Sequence, residues 1–298
     1  PREEYKVKGR LLFCRMIAGA GALYVAGACG ALIFFLADKG LPVLGIRLFF
    51  GDTPPLEAMM GLRPVWEGIW PAFAGTFCLV LLTMLMAAVP GIGCGIYLAR
   101  FARGRTKETL SLAIDLLASV PSIVMGLFGF VLILALRHTL APGATTSISL
   151  AAFCLALLVM PALVVTTRSS IESLPPMLEL TGASLGFSEN QILRRLLVPA
   201  AARGILGGMI LSMGRAAEDT AVIMLTGVVV NSGLPAGLAA KFEALPFLIY
   251  YTAAQYADES ELLRGFGASL VLLLLSALLM GVAWLCQRGM EHRWKGIY

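Results

Sequence analysis

The segment SLPPMLELTGASLGFSENQILRRLLVP, residues 173–199, lies between two long apolar runs and carries the clearest local signals in the chain. Proline fixes the backbone φ angle and has no amide donor, so Pro175 and Pro176 mark a helix boundary. Gly186 can adopt the left-handed conformation that commonly ends a helix. These signals predict a short helix over 177–185 that is separate from the element after it.

A second short helix is predicted immediately afterwards. Ser188 is a favourable N-cap residue, and Gln191, three residues further on, completes the spacing of a capping box. Pro199 stands where this helix meets the next apolar run, so we predict a helix over 189–197. The two helices share an apolar side made of Leu178, Leu185, Ile192, Leu193 and Leu196. This side can contact a partner in the cytoplasm or pack back on the protein's own membrane domain.

The composition places the chain in a membrane. Of its 298 residues, 58% are hydrophobic and 14% are charged, and the mean hydropathy is +0.85. Soluble domains carry roughly 25% charged residues, so a cytosolic enzyme, a disordered scaffold and a nucleic-acid-binding module are excluded. A membrane-spanning helix needs about 20 apolar residues. We predict an all-α integral membrane protein, one domain over residues 1–298, with six spans at 11–36, 69–99, 111–136, 147–167, 196–230 and 264–287.

Basic residues predict the orientation of these spans. Of 23 Lys and Arg residues, 16 fall in or near the terminal segments and the segments that follow the second and fourth spans, 6 fall in or near the opposite segments, and Arg215 lies inside the fifth span. Because positively charged loops stay in the cytoplasm, we predict that both termini and the loop at 173–198 are cytoplasmic. The two long segments on the opposite side, 37–68 and 231–263, can form short interfacial helices that dock an external partner, or serve as ordinary connections.

The fifth run contains three ionisable residues, Arg215, Glu218 and Asp219. An ionisable residue at membrane depth costs about 2.5–3.5 kcal/mol on insertion scales and usually faces a bundle interior or a wet cavity. Arg215 and Asp219 are four residues apart, so on a continuous helix they share a face and can pair. They form either a self-neutralised pair or an oxyanion site, in which Arg215 binds two anion oxygens and Asp219 holds the guanidinium in place.

Other polar residues can support such a site. Ser119 and Ser122 flank Pro121, where the third run can break and free backbone N–H groups for an anion. Thr76 can line the same path or bond its own helix backbone, and Thr167 lies at the cytoplasmic end of the fourth run. The sequence contains no GxxxxGK[ST] loop and no cluster of His, Cys, Asp and Glu. We therefore expect no catalytic site, no metal site and no bound cofactor on this chain.

Three blocks, in the same order along the chain, carry a resemblance to a known family. They are PAFAGTFCLVLLTMLMAAVPGIGCGIYLAR from Pro71, SVPSIVMGLFG from Ser119 and GILGGMILSMGRAAEDTAVIMLTG from Gly204. They resemble the phosphate-specific permeases of ABC importers, of the PstA/PstC type. The second block is closer to the PstA-like subunit, although the blocks do not decide between the two.

The segment at 173–199 resembles the EAA loop of ABC importer permeases. The resemblance rests on its C-terminal residues Gly186, Ile192, Leu197, Val198 and Pro199. The glutamate that opens the motif falls at Leu180, and its two alanine positions are Thr181 and Gly182. Glu179 comes one residue early, which weakens the salt-bridge role expected of the usual glutamate.

The resemblance implies the fold of a type I ABC importer permease in the inner membrane of a bacterium. It implies a second, PstC-like permease subunit, two cytoplasmic ATPase subunits that bind ATP and Mg²⁺, and an extracytoplasmic phosphate-binding protein. In the family, an Arg and a Glu four residues apart occupy the positions of Arg215 and Asp219, so Asp219 is a shorter carboxylate here. The ATPase is expected to grip the loop through Leu178, Glu179, Leu180, Thr181, Gly182, Leu185, Gly186, Ser188, Gln191, Ile192, Arg194 and Pro199.

Three alternatives stay open at this point. The same architecture could carry another oxyanion, such as molybdate, sulfate or a phosphonate. An ion-driven secondary transporter would need no cytoplasmic docking loop. A membrane enzyme acting on lipid phosphates would need clustered acids or histidines at the interface, which the sequence lacks.

Overall fold

The computed structural model describes the backbone of residues 2–139 and 142–295, and side chains over 13–139, 142–285 and 287–289. The predicted cytoplasmic ends at Pro1 and 296–298 lie outside the described residues. The helices in the described part are α1 (Arg2–Gly40), a 3₁₀ turn (Leu41–Val43), α2 (Ile46–Phe50), α3 (Pro55–Met59), α4 (Trp70–Arg100), α5 (Gly104–Ser119), α6 (Ser122–Thr139), α7 (Ile148–Glu172), α8 (Met177–Ser184), α9 (Glu189–Ile192), a π-helical turn (Leu193–Leu197), α10 (Val198–Glu218), α11 (Ala221–Thr226), α12 (Leu245–Gln255) and α13 (Glu259–Lys295).

Six helices of the described chain are long and apolar enough to cross a membrane. This confirms the predicted all-α membrane fold with six candidate spans. The third and fifth depart most from the predicted ranges, for reasons that can be read from their backbones. The six are Phe13–Val43, Trp70–Arg100, Ser122–Thr139, Ile148–Glu172, Glu189–Glu218 and Glu259–Gly289.

Pro121 divides the third predicted span, 111–136, into two helices. Helix α5 ends at Ser119 and α6 begins at Ser122, while Val120 between them is extended (φ −67°, ψ 123°). Proline disfavours helical geometry at the residue before it, which ends α5 at this point. The candidate span is α6 alone, and α5 is a separate, more polar helix that leads into it.

The predicted helix at 189–197 runs into α10 without a break. Because Pro199 has no N–H group, the regular hydrogen-bond ladder cannot continue across it. The chain widens instead into a π-helical turn, in which the N–H of Val198 donates to the carbonyl oxygen of Leu193. Such turns let a helix continue past an irregular residue.

The fifth predicted span, 196–230, ends twelve residues early, at Glu218. Asp219 is extended (φ −73°, ψ 119°), and the apolar sequence after it forms the separate short helix α11. Gly227 then ends α11, and the chain returns towards the N-terminus of α7, where the N–H of Ser147 donates to the carbonyl oxygen of Thr226 at 3.0 Å. The span is therefore a broken helix.

Helix α7 has the largest share of buried residues among the six candidate spans. Glycines on the neighbouring helices allow this burial. A Cβ atom built on Gly95 of α4 would lie 2.6 Å from Cβ of Thr167. A Cβ atom built on Gly208 of α10 would lie 2.0 Å from Oγ1 of Thr166. Each glycine has a second one four residues earlier, the small-xxx-small spacing that lets membrane helices approach closely.

We expect Gly208→Ala to destabilise the fold by about 1–3 kcal/mol, because the added methyl group overlaps Thr166 and overpacks this contact. Gly207→Ala is a matched control on the same helix, since nothing lies within 4 Å of a Cβ atom built there. The measurement is thermal unfolding of the purified variants in detergent. Equal unfolding temperatures for the two variants would contradict the tight α7–α10 contact.

The two long segments opposite the 173–198 loop contain short helices. Helices α2 and α3 lie within 37–68, and α12 lies within 231–263. The chain before α12 is tied to the start of α7, where the N–H of Ile148 donates to the carbonyl oxygen of Ala240 at 3.0 Å. These segments are thus part of the packed body at that end of the bundle.

Glu243 is a buried carboxylate in this region. Its side chain accepts a hydrogen bond from the N–H of Gly233 at 2.7 Å, and it is only 5% exposed. Burial raises the pKa of the Glu243 carboxyl, although the bonded N–H groups of Gly233 and Ser232 oppose this effect. The side chain fixes the turn at 231–233, which is a structural role that the sequence pattern did not predict.

Candidate functional site

The ionisable residues of the fifth span lie where α10 ends. Arg215 and Glu218 are exposed in the last turn of this helix, and Asp219, which is half-buried, is the first residue beyond it. Among the described residues, Arg215 forms no hydrogen bond and no ion pair. A guanidinium carries five N–H donors, so those of Arg215 are available to a ligand.

Arg215 and Asp219 do not share a face of one continuous helix, contrary to the prediction from the sequence. Asp219 has left the helix, and its Oδ1 accepts a hydrogen bond from the N–H of Val222 at 2.8 Å. Asp219 still attracts Arg215 electrostatically. Its carboxylate is used first to start α11, in the manner of a helix cap. The break between α10 and α11 is therefore held by Asp219, and Arg215 projects beside it.

The break after α10 lies next to the break before α6. A Cβ atom built on Gly126 of α6 would lie 2.9 Å from the carbonyl oxygen of Ala221, and one built on Gly129 would lie 2.6 Å from Cγ2 of Thr226. Helices α6 and α11 therefore run in the same direction and are in close contact. Ser122 begins α6 only four residues before Gly126, about 6 Å along the axis. The N-terminus of α6 is thus beside the end of α10.

The serines and threonines of the predicted pathway are divided between two environments. Ser119 is exposed and its Oγ donates to the carbonyl oxygen of Leu116 at 2.7 Å, while Ser122 is half-buried at the start of α6. Thr76 and Thr167, in contrast, are 1% and 0% exposed. The structure brings the two serines near the break and leaves both threonines inside the helix packing.

Thr76 and Thr167 have structural surroundings that differ from the predicted pathway role. The Thr76 hydroxyl donates to the carbonyl oxygen of Ala72 at 2.8 Å and accepts the N–H of Leu245 at 2.8 Å, which fixes the start of α12. Thr167 packs on Gly95, and its hydroxyl has no partner in the described part of the chain. Neither hydroxyl faces an open surface.

The arrangement at the two breaks suits a tetrahedral oxyanion. The Arg215 guanidinium is charged and exposed, and helix N-termini present backbone N–H groups and a partial positive charge to anions. Glu218 and Asp219 add negative charge at the same end of α10 and limit how tightly an anion can bind there.

The loop at 173–198 has the two-helix form that its capping signals predict. Helix α8 ends before Gly186, which is left-handed (φ +76°), and the N–H of Ser188 donates to Oε1 of Gln191 at 2.9 Å. The two helices touch at Gly182, since a Cβ atom there would lie 2.9 Å from Cγ1 of Ile192. A larger residue at 182 would separate them.

Ion pairs fasten this loop to the membrane helices. Glu179 pairs with Arg100 at the end of α4. The early position of Glu179 was expected to weaken its salt-bridge role, and the structure shows this side chain in an ion pair. Nearby, Glu172 accepts from Lys107 at 2.8 Å and from Arg168 at 3.1 Å. Glu179 therefore holds the loop against α4, while Glu172, the last residue of α7 before the loop, ties α7 to α5.

The predicted apolar side of the loop is only partly exposed. Ile192 is 7% exposed and Leu178, Leu193 and Leu196 are half-buried, so these residues pack inward, as one of the two interpretations expected. The residues left outside are Met177, Leu180 and Leu185, with exposed fractions of 67%, 61% and 66%. Thr181, Arg194 and Ser188 are exposed around them, whereas Pro199 is half-buried. An apolar patch with a polar rim remains on the outer side of the loop.

Comparison with known proteins assigns this architecture. Residues 91–295 match the family described as binding-protein-dependent transport system inner membrane component. The chain is 32% identical over 244 residues to the phosphate transport system permease protein PstA of Haemophilus influenzae, covering 81% of each chain. It is 30% identical to the protein of the same name from Pasteurella multocida over 81% of this chain and 82% of that one. A chain of the inward-facing MetNI methionine ABC transporter has the same fold, with a TM-score of 0.58, 17% identity and coverage of 78% and 98%.

Proposed function

Because this chain belongs to the family of binding-protein-dependent transport system inner membrane components, we propose that it is the membrane-spanning permease subunit of an ATP-driven importer of inorganic phosphate. The observation that carries the assignment of phosphate is the 32% identity to a phosphate permease over four-fifths of both chains. The exposed Arg215 at the broken fifth span supports it, since this is an anion-binding group at membrane depth.

Arg215 is proposed to be the anion contact of this subunit. Its guanidinium can engage two phosphate oxygens and stays charged in a poorly hydrated site. Glu218 and Asp219 keep the net charge around the anion low, which favours its release. Ser119 at the end of α5 and Ser122 at the start of α6 are proposed to contact the anion as it passes the break. Alternating access would expose this region first to one side of the membrane and then to the other.

The loop at 173–198 is proposed to bind an ATPase subunit through its exposed patch, Met177, Leu180 and Leu185. ATP and Mg²⁺ would be held by that partner, because the sequence has no phosphate-cradling loop of its own. Two such ATPase subunits, a second permease subunit of the PstC type and an extracytoplasmic phosphate-binding protein would complete the importer. The distribution of Lys and Arg supports a multi-pass inner-membrane protein with both termini in the cytoplasm.

The proposed function is tested by reconstituting the chain with these partners in proteoliposomes and measuring uptake of radiolabelled phosphate. We expect uptake that needs both ATP and the binding protein. Sulfate, molybdate and phosphonates in tenfold excess should leave it nearly unchanged. Stronger competition by another oxyanion would reassign the cargo, and uptake that persists without any ATPase would indicate a secondary transporter.

A further inference from the structure

An apolar cavity of 440 Å³ lies between α4 and α13, at the end of the bundle opposite the 173–198 loop. The position follows from α4, which begins at Trp70 beside the cavity and ends at Arg100 beside that loop. Carbon atoms make up almost all of its lining, with Phe77, Leu274 and Leu278 on the membrane-facing side. Its length along two membrane helices and its open side suit a hydrocarbon chain.

A second cavity of 780 Å³, lined by charged as well as apolar residues and called the polar cavity, adjoins the apolar one and shares Leu44 with it. Its lining includes charged residues of both signs: Arg47, Glu67, Asp258, Glu261 and Arg264. Side by side, the two cavities form one amphipathic site at the boundary between hydrocarbon and water. A phospholipid has the same division into charged headgroup and apolar chain.

The charged side chains that line the polar cavity do not simply form ion pairs with one another. Arg264 donates to the backbone carbonyl of Glu67, and Arg47 lies 3.6 Å from the carboxylate of Asp52 while remaining largely exposed. The N–H of Glu261 and the hydroxyl of Ser260 donate to Asp258 and lower the pKa of its carboxyl, which therefore stays ionised at neutral pH. The cavity thus offers both cationic and anionic groups to a ligand.

The indole of Trp70 lines the apolar cavity and carries a hydrogen-bond donor. Its Nε1 atom is buried and has no hydrogen-bond partner among the described residues. The ring is stacked on Phe73 and contacts Phe50 at a tilt of 38°, with centroid distances of 5.8 and 5.4 Å, so neighbours restrict its rotation towards water. A buried donor without a partner is unfavourable. An alkyl chain cannot accept this hydrogen bond, whereas the ester carbonyl of a glycerolipid, at the top of the chain, can.

We propose that the two cavities form a binding site for one zwitterionic aminophospholipid of the leaflet opposite the 173–198 loop. An acyl chain fills the apolar cavity, and its ester carbonyl accepts the hydrogen bond from Trp70. The lipid phosphate lies towards Arg47 and Arg264, and the ammonium group lies towards Asp258 and Glu261. A purely anionic lipid would meet the carboxylates without a compensating charge, which is why the headgroup is expected to be zwitterionic.

The first test measures lipids retained by the assembled transporter. The complex is purified in detergent, incubated with equal amounts of phosphatidylethanolamine and phosphatidylglycerol, and analysed by native mass spectrometry. We expect one retained phosphatidylethanolamine per copy of this chain. Trp70→Phe should lower its retention about threefold to tenfold through loss of one hydrogen bond. Ala74→Phe should abolish it, because Ala74 lines the apolar cavity and a phenyl ring would fill it.

Trp284→Phe is the matched control, because Trp284 is an exposed tryptophan on α13 outside both cavities. It should retain the lipid at the wild-type level. A wild-type complex that retains no phosphatidylethanolamine overturns the proposal without any variant. Equal retention in Trp70→Phe, Ala74→Phe and Trp284→Phe also overturns it, as does a crosslink showing that a partner protein fills the apolar cavity. Equal retention of phosphatidylglycerol overturns the zwitterionic headgroup.

Discussion

Replacing Arg215 with glutamine is expected to reduce phosphate uptake at least a hundredfold. The substitution removes the positive charge of Arg215 at the break of the fifth span and leaves an amide that fits the same space. Hydrogen bonds to charged groups contribute about 1.5–3 kcal/mol each, so losing two of them corresponds to roughly a hundredfold or more in binding. Arg215→Lys keeps the charge but loses the planar fork, and it should retain roughly a tenth of the uptake. Uptake is measured in proteoliposomes with all partners present.

Arg105→Gln serves as the matched control, since Arg105 is another exposed arginine and lies on α5, away from the break. Both variants should co-purify with the partner subunits, because Arg215 contributes no hydrogen bond or ion pair to the described structure. Undiminished uptake in a fully assembled Arg215→Gln complex would remove Arg215 from the pathway. Failure of this variant alone to assemble would instead assign it a structural role.

The spans could be predicted because length and hydropathy are local properties of the chain. The same holds for the break at Pro121, whose backbone effect is confined to its neighbours. The end of α10 at Glu218 could not be predicted in this way, since the apolar pattern continues through Val222. The helix ends because Asp219 bonds to the N–H of Val222 and because Gly126 packs against Ala221, and the second of these contacts joins distant parts of the sequence.

The difference between local and long-range contacts also separates the predicted parts of the site from the unpredicted ones. The capping box at Ser188 joins residues three apart and is visible in the sequence. The ion pair between Arg100 and Glu179 joins residues 79 apart, and the bond from Leu245 to Thr76 joins residues 169 apart. The motif position of Glu179 alone therefore did not predict its ion pair. The hydroxyl group of Thr76 alone suggested a pathway role, whereas this hydroxyl bonds to the backbone inside the packed helices.

The double substitution Leu180→Asp and Leu185→Asp is expected to abolish ATP-driven uptake by releasing the ATPase. Both side chains are mostly exposed on the 173–198 loop, at 61% and 66%, so their replacement leaves the packing of the loop intact. Burying a leucine contributes about 1.5–3 kcal/mol, and two such losses weaken the complex by at least a hundredfold. Each aspartate also places an unpaired charge in the contact, which adds to the loss. Co-purification of the ATPase with the tagged permease measures the effect.

An exposed leucine outside the loop serves as the control that separates loss of ATPase docking from a general effect of adding charge. Leu238 is 65% exposed and lies in the segment opposite the loop, so Leu238→Asp should leave ATPase co-purification at the wild-type level. Ile192→Asp tests a different effect. Ile192 is buried against Gly182, so a carboxylate there would disrupt the fold of the loop itself. If the ATPase still co-purifies with the double variant, the contact lies elsewhere on the permease. Retained docking with lost uptake would instead show that these leucines transmit the ATPase motion, because binding and coupling would then depend on different parts of the loop.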